Sequence, residues 1–148
     1  MAAEGVSGLV QRLASVGRAV AARKGRRADA PWIAIARTAQ SVATLAQERY
    51  AQLGPEERAF ADRVVSLSGA APMMGSVTGA VRRSALAAGD VADTMLKSAD
   101  LLRRVLHLEH APDFGALIEW LAQLARTPPV RPSSGSTPER ARRARRLN

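Results

Sequence analysis

The chain has two histidines, both in the run His107-Leu108-Glu109-His110, and no cysteine. Two imidazoles three residues apart on a helix would share a face, and with Glu109 or Asp113 they could hold a divalent ion. The order is not that of the zinc hydrolases, where the histidines stand four apart and a glutamate follows the first. No third histidine completes the set. A polar helix end is the plainer account, and no metal is assigned. Asp93, Asp100 and His107 recur every seven residues, a spacing that would stack them on one helix and suit acid–base work. Each aspartate has a cation four residues on, Lys97 and Arg104, which reads as surface ion pairing. Gly69, Gly75 and Gly79 lack the following Lys-Ser or Lys-Thr of a phosphate loop, and no Gly-x-Ser-x-Gly elbow occurs. These residue types argue against an enzyme, and they require no cofactor.

Arginine is the chemistry the sequence does supply. The chain carries 20 Arg against 2 Lys, with a net charge of +9. Residues 1–30 hold six basic and two acidic groups, residues 31–125 nine and ten, and residues 126–148 seven and one. The middle is nearly neutral and the excess sits at the two ends. Arg140, Arg142, Arg143, Arg145 and Arg146 place five charges in seven residues, and Arg23, Lys24, Arg26 and Arg27 place four in five. Clustered cations raise the local potential for anions and bind phosphates by releasing counterions, without reading sequence. Neither tract contains an aromatic residue, so stacking on single-stranded bases is not supported. The plainer alternative for the tail is solubility. A GC-rich genome also writes Arg over Lys, but that bias does not by itself leave a neutral middle between basic ends.

The elements that must position these charges read as helices throughout. Aromatics are 3% of the residues, and alanine alone supplies 30, a composition that favours close-packed helices over sheets. Val6, Leu9, Val10, Leu13, Val16 and Val20 mark a first helix with Gln11, Arg12 and Arg18 on its other side. Gly5, Gly8 and Gly17 weaken it, so it needs a surface to lie on: an anionic membrane or the protein's own core. A second helix is expected over 31–53, with Pro31 at its start and a seam of Trp32, Ile35, Ala39, Val42, Ala46, Tyr50 and Leu53. Gly54-Pro55 ends it and starts a third, running to Leu67, which should bury Phe60, Val64 and Leu67 and fold back along the second as a hairpin.

Residues 68–75 read as a break. From Met74 a seam close to a 3.5-residue repeat runs through Val77, Val81, Ala85, Ala88, Ala92, Met95, Ala99, Leu102 and Leu106. Gly89-Asp90 interrupts it, giving two collinear helices, 74–88 and 90–109, or one kinked helix. Its alanine-rich centre would let a neighbouring helix approach closely. Residues 112–126 form a last helix around Phe114, Leu117, Ile118, Leu121 and Leu124. The Pro- and Ser-rich stretch that follows has no apolar set to bury and should be disordered. The longest uncharged stretch, residues 64–81, is interrupted by Gly, Ser, Thr and Pro and suits a helical turn in a core better than a membrane span. The N-terminus lacks the pattern of a secretory signal, which makes the cytoplasm the default location.

The expected architecture is therefore an all-α, small helical bundle of four to five core helices over 31–126. A basic amphipathic helix and linker over 1–30 precede it, and a basic tail over 127–148 follows. Three functional classes remain open. The first is a non-catalytic binding protein whose Arg-rich ends contact nucleic-acid phosphates. The second is a peripheral membrane or granule-surface protein using the 6–20 helix. The third is a helical scaffold or adaptor that docks a partner helix on the alanine seam, with a homodimer as one form.

Overall fold

The computed structural model describes residues 5–23 and 29–126. These form six α-helices: α1 (Val6–Ala21), α2 (Ala30–Gln52), α3 (Pro55–Ser68), α4 (Ala70–Arg82), α5 (Ala88–Val105) and α6 (Pro112–Arg126). No strand occurs among the described residues, so the fold is an all-α bundle. α1 lies between α2 and α4, α5 packs chiefly on α6 and also on α2 and α4, and α3 rests on α1, α4 and α5. One core joins all of them. Leu9, Leu13, Ile35, Met74, Met95, Leu102, Phe114 and Leu121 are all excluded from solvent within it. Ala39, Ala46, Ala92 and Ala99 are equally buried, and their small side chains let the helix backbones approach.

The core does not begin at residue 31. The α1 stripe of Val6, Leu9, Leu13 and Val16 is fully buried, so the surface this glycine-weakened helix needs is supplied by α2 and α4. The alanine seam of α5 is likewise closed by the chain's own helices. A membrane at the first, or a partner helix at the second, would have to displace part of the core.

The turns depart from the sequence reading in ways that share a cause. The break expected over 68–75 shrinks to Gly69, whose φ of 74° is the left-handed conformation that ends α3 and directly precedes α4. Pro72 falls in the first turn of α4, where backbone N–H groups have no helical partner to lose. The second break lies at 83–87, ahead of Gly89-Asp90, which opens α5. There Ser84 takes φ 56°, and the Ala85 and Ser84 amides donate to Ala80 and Val81 at 2.8 and 2.9 Å. This pair of bonds closes a helix on a left-handed residue. α5 ends in a related way, with His107 at φ 59° and the Leu108 amide on Arg103 at 2.8 Å. Neither stop is a glycine, so neither shows in the sequence. Ala85, expected in the seam, is exposed as a result.

α3 also turns differently. Leu53 and Gly54 are both extended (ψ 152° and 166°), which carries α3 away from α2 instead of back along it. Its buried residues are Ala61 and Val65, whereas Phe60 and Leu67 are 57% and 81% exposed. Asp62 pins this orientation. Its Oδ1 accepts the Val6 amide at the head of α1 at 2.9 Å, and its Oδ2 accepts the Tyr50 hydroxyl of α2 at 2.7 Å. The hydrogen bond to Asp62, with burial second, raises the Tyr50 phenol above its ordinary value of 10.0. Tyr50 is the only tyrosine, so its ionisation can be followed by ultraviolet absorbance. The midpoint should lie above 10.0 in the native protein and fall toward it in Asp62→Ala. The raised value means that whatever Tyr50 adds to stability is fully present below the unfolded pKa. It is lost as pH climbs through the folded one. An unchanged midpoint in the variant would remove Asp62 as the cause.

Candidate anion-binding site

Most of the residues read as phosphate contacts lie outside the described residues: Lys24, Arg26, Arg27, Arg140, Arg142, Arg143, Arg145 and Arg146. Arg23 is described, and the fold turns it inward. It is 7% exposed, with its guanidinium 4.2 Å from the centroid of the Trp32 ring. A planar, weakly hydrated cation over an aromatic face is a favourable stack. Here it ties the end of α1 to the first turn of α2. A phosphate would have to win Arg23 from that contact, so the solvent-facing role expected of it is not the one seen.

The histidine and aspartate constellations also resolve. α5 ends at Val105, so His107 and His110 sit in the following turn and do not share a helix face. His107 Nε2 stands 3.9 Å from Glu57 Oε2, with both side chains more than half exposed. Asp93 pairs with Lys97 at 3.3 Å. Asp100 pairs with Arg104 at 3.3 Å and also with Arg103. The expected i to i+4 ion pairs therefore form, and the Asp93–Asp100–His107 column does not.

A cationic site that the sequence does not announce lies between α1 and α4. Helical spacing puts Gly8, Gln11, Arg12, Ser15 and Arg18 along one face of α1, and Gly75, Thr78, Gly79 and Arg82 along one face of α4. Together they line a groove of about 570 Å³. Among the described residues that line it, three of nine are arginines and none is a carboxylate. Among the described residues Arg18 and Arg82 make no ion pair with an acidic group. Both are exposed, as are Arg12 and Arg83.

The glycines of α4 shape this groove. A Cβ on Gly75 would lie 2.8 Å from Arg12 Nη1, and one on Gly79 would lie 3.3 Å from Arg83 Nη1. The missing side chains leave room for guanidinium groups to lie against the helix. The two hydroxyls in the wall are committed to backbone: Ser15 Oγ donates to the Arg12 carbonyl at 2.8 Å and Thr78 Oγ1 to the Met74 carbonyl at 2.8 Å. Neither is set up as a nucleophile. What the groove offers is fixed positive charge with planar donors, the chemistry that binds phosphate or carboxylate oxygens.

Two signals in the sequence belong to this site, although neither locates it. Arg12 and Arg18 stand on the polar side of the first helix, and Arg82-Arg83 ends the uncharged stretch. Only the packing of α1 on α4 brings them together. No protein-family model matches the chain, nor does any curated protein or solved structure to which it was compared.

Proposed function

We propose that the protein is a non-catalytic helical module that binds the phosphate backbone of nucleic acid without reading its sequence. The observation that carries this reading is the α1/α4 groove, where Arg12, Arg18 and Arg82 line a common space and no carboxylate does so among the described residues. The charge distribution of the chain supports it: +4 over residues 1–30 and +6 over 126–148, against −1 between them. Groove and ends would act together, the groove as a fixed set of charges and the terminal tracts as further phosphate contacts. Binding of this kind is dominated by counterion release, so it weakens steeply with salt and ranks sequences alike.

The test is fluorescence anisotropy of a labelled DNA duplex with the full chain over a series of salt concentrations. Binding at low salt, falling linearly on a log–log plot and equal for unrelated sequences, is the expected result. No binding at low salt removes the reading outright. Strong preference for one sequence would mean contacts to base edges, which this groove chemistry does not provide.

A further inference from the structure

Four large apolar side chains are markedly exposed among the described residues: Ile33, Phe60, Leu67 and Met73. Three of them fall between residues 60 and 73, on either side of Gly69. Leu67, at 81%, is the most exposed of the four, and Met73 is 54% exposed. Scattered single residues of this kind need no explanation, but a concentration of them does. The segment around them is also unusual in charge. Residues 64–81 contain no Asp, Glu, Lys or Arg, although Ser68, Pro72, Met73 and Ser76 are surface residues. Arg63 stands at one end of this stretch and Arg82-Arg83 at the other.

The backbone gives the segment its shape. α3 and α4 meet at an angle of 55° across the left-handed Gly69. No single described helix is long and apolar enough to cross a membrane, and α3 with α4 passes such a test only as a bent pair. The result is an apolar, charge-free corner with Leu67 before the bend, Met73 after it, and arginines at its margins.

We infer that the α3–α4 corner docks onto the surface of an anionic lipid bilayer. Leu67 and Met73 enter the boundary between headgroups and acyl chains, and Arg63 and Arg83 meet the lipid phosphates, whereas Arg82 faces the groove on the other flank of α4. A bilayer fits this surface better than a protein partner because its two requirements are both present: apolar side chains on a bend, and cations at the edge of an otherwise uncharged zone. The polar residues within the stretch, together with the bend, keep the contact interfacial. This differs from a membrane role for α1, whose apolar stripe is spent in the core. It is also independent of polyanion binding, since neither Leu67 nor Met73 lines the arginine groove.

The experiment is co-sedimentation of the full chain with vesicles of phosphatidylcholine, with and without phosphatidylglycerol, at low and raised salt. The wild type should sediment with the mixed vesicles and stay partly bound at raised salt, where the contribution of its arginines is screened. Leu67→Glu/Met73→Glu should lower apparent vesicle affinity by about tenfold or more, because fully burying even one such side chain is worth about that factor. Circular dichroism should be unchanged, both positions being exposed, and so should duplex DNA binding. Equal sedimentation of variant and wild type, or no vesicle binding by the wild type, overturns the inference. So does a double variant that changes only the mass in analytical ultracentrifugation, because the corner would then be a contact between copies of the chain. Loss of DNA binding in Arg18→Ala/Arg82→Ala with salt-resistant vesicle binding retained would separate the two surfaces.

Discussion

Phe114→Ala should cost about 3–5 kcal/mol in a denaturant melt, and Phe60→Ala less than about 0.5 kcal/mol. These are the only two phenylalanines in the chain, and each belongs to an apolar stripe at helical spacing, so sequence pattern does not distinguish them. Phe114 is wholly excluded from solvent within the shared core, in the first turn of the helix that packs on α5. Removing its ring takes away transfer free energy and leaves a cavity that a close-packed interior fills only in part. A domain of this size has total stability of about 5–15 kcal/mol, so the loss approaches what the fold can bear. Phe60 is 57% exposed, and most of its ring is in water in both states. Equal losses from the two substitutions would show that α3 packs on its Phe60 face and that the Asp62-directed orientation is wrong.

The second large effect is on salt dependence, and it apportions the polyanion contacts. Each phosphate neutralised on duplex DNA adds about 0.9 to the log–log slope. Replacing Arg142, Arg143, Arg145 and Arg146 with alanine should therefore flatten the slope by roughly three to four units, with the same loss on every sequence. Replacing Arg18 and Arg82 should flatten it by roughly two units. The groove variant has a further signature. Its arginines are displayed by two packed helices, so substitution by lysine should weaken binding where a guanidinium fork grips two oxygens at once. Lysine in the tail should preserve most of the binding if point charge is all that acts there. A slope unchanged by Arg18→Ala/Arg82→Ala would mean that phosphate does not enter the groove. The terminal tracts would then carry the whole effect.

The sequence by itself determined the class of fold and most of the helix ends. Abundant alanine and a near absence of aromatics leave few ways to build a core except helix on helix, and Pro31, Gly54-Pro55 and Pro112 mark ends that follow from backbone chemistry alone. The ion pairs of Asp93 and Asp100 were equally legible, because they join neighbours on one helix.

What only the tertiary structure decided is which face of each helix is inside and which charges meet. The stops at Ser84 and His107 depend on left-handed residues that are not glycine. α3 buries Ala61 and Val65 because Asp62 must reach both Val6 and Tyr50. Periodicity ranks residues by size and polarity, so it favoured Phe60 and Leu67 and could not anticipate a polar pin formed across 56 residues. Arg23 reads in the sequence as one of a run of cations, but Trp32 in the first turn of α2 holds its guanidinium. The arginine groove depends on residues more than 60 positions apart, and on glycines whose missing side chains matter only once α1 lies against α4. Local spacing shows where a helix can form, while most of its stability comes from packing. The choice among its faces belongs to contacts between segments distant in the chain, and only the folded chain brings these together.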